Sequence, residues 1–187
     1  MINKAFLKQI GTQMKELINR IEQVDFKKTG ASYKKISVSF TELDNLRAKA
    51  VRVDLSSWEK ENEGSRYIYI IQATDEVDIE KCHQQYENAK SNNINNRAFA
   101  RLNENANSKV FYVGSSRSLG NRIEQHLGFG HQGTFSLQII HWSSGISGEL
   151  TITIYRFPEN LGQDVIQAIE DGLWEKHKPM FGRRGSR

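Results

Sequence analysis

The stretch YVGSSRSLGNRIEQH, Tyr112 to His126, decides how this chain is read. With the two residues before it, VFYVG is aromatic and β-branched, the composition of a strand. Leu119, Ile123 and Leu127 then recur at helical spacing, so a helix follows at once. Gly114 stands where the strand is expected to turn into that helix, and Ser116 is the expected cap. Arg122 and His126 are four residues apart and therefore share one helical face. The apolar stripe beside them sets the pair at the edge of the core, close to the strand that carries Tyr112.

Working outward, YIYIIQA (67–73) reads as a central strand and ELTITIYRF (149–157) as a strand by its β-branched alternation. Val165, Ile166, Ile169 and Leu173 define a last helix that stops near Pro179. TFSLQIIHW is ambiguous between helix and strand, and Thr134 as a cap favours helix. Between the first two strands lie polar residues. Ile79, Cys82, Tyr86 and Ala89 form one helical stripe, SNNINN interrupts it, and a further helix is expected to start around Ala98 and Leu102. Near the N-terminus, Phe6, Ile10, Met14, Leu17, Ile18 and Ile21 mark an amphipathic helix over about 3–24. A loop through Gly30, a short strand ISVSF, a helix capped by Thr41 and running to about Val51, and a polar link SSWEKENEGSR complete that end. The organisation expected is an α/β (α+β) chain. Residues 1–66 form an N-terminal helical extension and 67–187 a core, with an insertion at about 75–108.

The chain has 187 residues and a formal net charge of +4, with a pI near 9.1. A basic balance suits a polyanionic partner, although at this magnitude it equally serves solubility. The segment EKHKPMFGRRGSR sets Lys176, Lys178, Arg183, Arg184 and Arg187 against Glu175 alone, which by itself describes a solvated terminus. No apolar run reaches the roughly 18 residues of a membrane span, and the N-terminus lacks the pattern of a secretory leader. Cys82 is the single cysteine, so no intrachain disulfide forms. These features favour a cytoplasmic location.

The pattern Y-[IV]-G-x-[ST]-x-x-L-x-x-R-x-x-x-H resembles the second half of the signature of the GIY-YIG nuclease superfamily. Tyr67-Ile68-Tyr69 resembles the first half. The resemblance implies a small, three-stranded, mostly antiparallel sheet flanked by helices, with the two signature strands as neighbours. It also implies a divalent-metal-dependent endonuclease of restriction or mobile-element type that uses Mg²⁺ or Mn²⁺ on double-stranded DNA. Through Ala168-Ile169-Glu170, followed by Lys178-Pro179, it points to Glu170 as the metal ligand. Arg122 is then the phosphate binder, with Tyr69 and Tyr112 around the nucleophile and His126 assisting. Cutting both strands would take a homodimer or two successive nicks. The extension and the insertion would supply base contacts, since a nuclease core mainly grips backbone. Three positions depart from the family. Tyr67 stands in place of glycine, about 40 residues separate Tyr69 from Tyr112, and Gly182 stands where an asparagine is common.

The residue chemistry agrees with those roles. Ile166, Ile169, Leu173 and Trp174 frame Glu170 on the last helix, which desolvates its carboxylate. Mg²⁺ often takes only one or two protein carboxylates and keeps its waters, so one glutamate is enough. A guanidinium grips phosphate through paired hydrogen bonds, and His126 is suited to relaying a proton or orienting a hydroxyl. A phenol, with a pKa near ~10, needs a nearby cation to act as a base. The simpler reading of these residues is structural: Glu170 paired with Lys176 or His177, and the tyrosines packing a sheet. Lys109, just before the second strand, is a minor candidate for phosphate contact. A second functional reading is a catalytically impaired nucleic-acid-binding module that keeps the fold, and Gly182 is the feature that favours it.

Overall fold

The computed structural model describes residues 3–24, 32–43 and 48–185. The loop expected around Gly30, the start of the helix expected after Thr41, and Arg187 lie outside the described residues. The elements, in order, are α1 (Lys4–Glu22), β1 (Ser32–Ser39), α2 (Ala48–Lys60), β2 (Arg66–Ala73), α3 (Ile79–Ser91), β3 (Val110–Ser116), α4 (Leu119–Leu127), β4 (Glu149–Phe157) and α5 (Gln163–His177). The strands form one antiparallel sheet in the order β1-β4-β2-β3. The class is α+β, but the sheet has four strands rather than the three expected. The additional strand is β1, which pairs with β4 from Ser32↔Arg156 to Ser39↔Glu149. It comes from the N-terminal stretch read as helical. ISVSF was visible as a strand there, but its partner lies more than 100 residues away and no local pattern records the pairing.

Strand β2 is buried on both faces, which is why YIYII is a continuous apolar run. Its alternation sends Tyr67, Tyr69 and Ile71 to one face and Ile68 and Ile70 to the other. The first face, with Tyr112, Ile152 and Ile154, meets Leu55 of α2, Tyr86 of α3 and Leu119, Ile123 and Leu127 of α4. The second face lies under α5, where Ile166, Ile169, Leu173 and Trp174 pack on Ile68, Ile70 and Val113. Each of these side chains contributes about 1.5–3 kcal/mol by leaving water.

Helix α3 begins where Asp78 accepts from the Lys81 N–H at 3.0 Å. It ends at SNNINN, where Asn93, Asn95 and Asn96 take φ of 47, 55 and 52°. Asparagine tolerates that left-handed region better than most residues. No helix starts at Ala98. Residues 98–103 run extended instead, bridging Ser136 and Phe181. TFSLQIIHW is likewise not a helix: Thr134 caps nothing, and only the short 3-10 turn Ile139–His141 forms, after Gln138 at φ 54°. Thr41 sits inside another 3-10 turn, Phe40–Glu42, and SSWEK belongs to α2 rather than to a link. Beyond α5 the chain returns along the outer edge of β3. There Met180 and Phe181 donate to the carbonyls of Val110 and Phe111.

Helix α1 stands apart. It buries none of its residues and leaves Phe6, Leu7, Ile10, Met14 and Ile18 exposed, with Arg20 paired to Asp164 of α5. Among the described residues no helix is long and apolar enough to cross a membrane.

Candidate active site

Four of the five residues singled out from the sequence meet on one face of the sheet. Tyr69 on β2 and Tyr112 on β3 stack, with ring centroids 6.1 Å apart and planes within 10°. Their positions follow from register, since Tyr69 lies opposite Gly114 and Ile71 opposite Tyr112. His126 from α4 closes over both rings, at 5.6 Å from Tyr69 and 4.3 Å from Tyr112. Arg122, one helical turn earlier, spans the two phenols. Its Nε donates to Tyr69 Oη at 3.3 Å and its Nη2 to Tyr112 Oη at 3.3 Å. Nη1 donates to Gln125 Oε1 at 2.8 Å, and Nη2 also donates to the Phe135 carbonyl at 3.1 Å.

The direction of these bonds assigns the histidine tautomer. The Leu137 backbone N–H donates to His126 Nδ1 at 3.3 Å, so Nδ1 is an acceptor. A neutral ring then carries its hydrogen on Nε2, which lies 2.9 Å from Tyr69 Oη and donates to it. Burial holds His126 well below its ordinary pKa, and the Arg122 charge adds to the effect, so the ring is neutral. Tyr69 Oη therefore accepts two hydrogen bonds, from Arg122 and His126. Burial raises the Tyr69 pKa and Tyr112 raises it further, against the lowering by Arg122, so the resting side chain is a neutral phenol. Burial would lower the Arg122 pKa, but the phenols beside it outweigh that and raise it. The guanidinium stays charged.

Gly114 lies within β3 and does not make the turn into α4. Its purpose is space: a Cβ there would stand 2.6 Å from Tyr112 Cε1 and 2.9 Å from Tyr69 Oη. Gly182 is required in the same way. It has φ +97°, and a Cβ would come within 2.6 Å of Tyr112 Cε2. The Tyr112 ring occupies the room that an asparagine would need. Ser116 does not cap α4, because its hydroxyl accepts from the Ser118 N–H instead. The N–H groups of Leu119 and Gly120 are held by the carboxylate of Glu59 from α2. Tyr67 packs on Trp58, ring centroids 5.4 Å apart, as a core residue.

Glu170 reaches the site from the other side of the sheet. It is 6% exposed on α5, and Ser115 Oγ of β3 donates to its Oε2 at 2.6 Å. It pairs with neither Lys176 nor His177. Burial raises its pKa, while the Ser115 hydrogen bond and the Arg122 charge oppose that rise. Arg122 and Glu170 are thus within electrostatic reach, yet among the described residues no hydrogen bond joins Glu170 to the tyrosine cluster. Nor does any cluster of three or more His, Cys, Asp or Glu among them form a ready metal cage. A lone carboxylate does not fit an ion held wholly by protein; any ion here would keep most of its waters.

Lys109 is engaged with Asp75 at 2.7 Å. Among the described residues His131 accepts only from the Gly133 N–H in its own loop. The residues that sequence reading missed are Gln125, Ser115 and Glu59. Gln125 lies one turn from Arg122 and was open to a spacing argument, and Ser115 was inside the motif itself. Glu59 is about 60 residues from the helix it caps and left no signal. Comparison with protein families, curated proteins and solved structures returned no match to this chain.

Proposed function

We propose that this chain is a divalent-metal-dependent endonuclease that hydrolyses phosphodiester bonds in double-stranded DNA. The observation that carries the reading is one guanidinium, Arg122, donating to both signature phenols while a neutral histidine donates to the first. A structural tyrosine pair has no need of a half-buried guanidinium, and partly withdrawing a charge from water is costly unless hydrogen bonds or an anion compensate it.

In hydrolysis a water oxygen bonds to phosphorus, the bond to the leaving sugar oxygen breaks, and the water proton must be taken up. Tyr69 rests as a neutral phenol, so it can take up that proton only after its own has left to solvent; Arg122 and His126 both face its oxygen and would stabilise the phenolate that remains. His126 serves as a donor that positions Tyr69 and does not itself receive the proton, since Nε2 is occupied and Nδ1 holds the Leu137 N–H. Arg122 is the fixed charge that meets the developing anion. Glu170 would hold Mg²⁺ or Mn²⁺, which when bound supplies polarisation of the phosphoryl oxygens. Cleavage of both strands calls for two copies of the chain or two successive nicks.

A second reading, a nucleic-acid-binding module without the chemistry, is favoured by Gly182 and by the single carboxylate. Incubation of supercoiled plasmid with Mg²⁺ or Mn²⁺ separates the two readings. Nicking by the wild type that disappears in Glu170→Ala and in the presence of EDTA supports the enzyme. Equal DNA binding with no cleavage by either protein supports the module.

A further inference from the structure

Beside the Tyr112–Arg122 end of the cluster the surface opens into a cleft of about 510 Å³. Its walls come from distant parts of the chain: the end of α3 with residues 99–101, Phe135, and Gly182–Arg183. The backbone fastens these walls together. Ala100 N–H donates to Ser136 O, and Gly182 N–H to Arg101 O, at 2.9 and 2.8 Å. The cleft is therefore preformed.

Its lining is one-sided in charge. Lys90, Arg101 and Arg183 join Arg122 there, and no carboxylate lines it. Lys90 is tied to the Ala100 carbonyl at 2.7 Å. Burial and then the charges of Arg183 and Arg101 push its pKa down, which shows the three cations working against one another. The neighbouring cations of the same tail are treated differently. Lys178 and Arg184 both pair with Glu175, at 2.5 and 2.6 Å. Among the described residues Arg183, facing the cleft, has no acidic partner. Crowded like charges on a fixed wall are relieved by an anion that touches several at once. At the rim stands Phe135, 71% exposed, its carbonyl held by Arg122. A large exposed ring beside a cationic track is the surface on which nucleobases stack.

We propose that this cleft holds the backbone of the nucleic-acid strand flanking the scissile phosphate, with Lys90, Arg101 and Arg183 on its phosphates and Phe135 stacked on a base at the rim. The proposal rests on the nuclease reading and gives the insertion between β2 and β3 a task. That task is to grip a strand in position, rather than to supply the base contacts expected from the sequence, because phosphate contacts carry no sequence information.

The test is fluorescence anisotropy of the full chain on labelled duplex and single-stranded oligonucleotides in EDTA, over roughly 50 to 200 mM salt. For the variant K90A/R101A/R183A the slope of log K against log salt on duplex becomes shallower by about 2 to 3, near 0.9 for each lost contact. The double variant R101A/R183A, which keeps the Lys90–Ala100 bond, becomes shallower by about 2. Phe135→Ala weakens single-strand binding by about tenfold with the slope unchanged. The charge-matched control K8A/K15A/K176A, on exposed faces of α1 and α5, keeps the wild-type slope. Wild-type slope and affinity in both cleft variants would overturn the proposal, as would an equal loss in the control. The two readings fail separately. Binding that depends on the cleft, without cleavage in Mg²⁺, removes the nuclease and keeps the cleft; cleavage with cleft-independent binding does the reverse.

Discussion

On one face of the sheet, six hydrogen bonds tie Tyr69, Tyr112, Arg122 and His126 to one another and to Gln125, Phe135 and Leu137. On the other face, among the described residues, the Glu170 carboxylate holds a single one, from Ser115. The first arrangement is preorganised: each partner restricts the next, so the cation and the phenols need no rearrangement when charge develops. The second leaves one carboxylate oxygen without a hydrogen bond among the described residues, which is what the proposed ion would need. Edge strand β3 carries both, with Tyr112 and Ser115 on opposite sides and side-chain-free Gly114 between them.

Breaking the networked face has the largest expected effect. Arg122→Ala, measured by plasmid nicking in Mg²⁺, should slow cleavage by about 10²–10³-fold. Arg122→Lys should recover little, because one ammonium cannot reproduce a fork that reaches both phenols. Rescue by lysine would show that the face needs only charge.

Crowding the phenols comes next. Gly114→Ala should lose about 1–3 kcal/mol in urea unfolding, since its Cβ would meet both tyrosines. Gly182→Asn should lose a similar amount and should not raise activity, because Tyr112 fills the space and the backbone there has φ +97°. A gain in cleavage by Gly182→Asn would show that Tyr112 moves aside.

Proton linkage at His126 is smaller. Its folded pKa lies below the ordinary 6.5, so the unfolded chain binds the proton first. The stability it contributes is present above about 6.5 and is lost as pH falls from there towards the folded value, at no more than about 1.4 kcal/mol per pH unit. Denaturant titrations between pH 7 and 5 should show this slope, and His126→Gln should flatten it.

The smallest change sharpens the Glu170 side. Removing the hydroxyl in Ser115→Ala takes away a hydrogen bond that favours the charged carboxylate. The Glu170 pKa should rise further, moving the acid limb of the pH–rate profile to higher pH with only a few-fold loss at the plateau. A shift to lower pH would mean that another group controls that limb.

Much of the networked face was legible from spacing. Arg122 and His126 share a helical face by arithmetic, and YIYII and KVFYVG declare themselves as strands. The burial of Glu170 was legible from its apolar neighbours on α5. The tautomer of His126 was not legible, because the backbone N–H that sets it belongs to Leu137 in a segment misread as helix. The reason for Gly182 was hidden as well: it follows from the return of the chain along β3 after Pro179, which places that residue against the Tyr112 ring.

Periodicity and residue type by themselves determined β2, β3 and β4, helices α1, α3, α4 and α5, and the shared face of Arg122 and His126, since these depend on contacts within a turn or two of backbone. The tertiary structure alone decided that β1 completes the sheet, that Glu59 caps α4, that Glu170 approaches from the opposite face, and that cations from α3, the insertion and the tail line one cleft. Those relations join residues tens to more than a hundred positions apart. They are settled by packing and register across the sheet, and such long-range choices leave no repeat in the chain to be read.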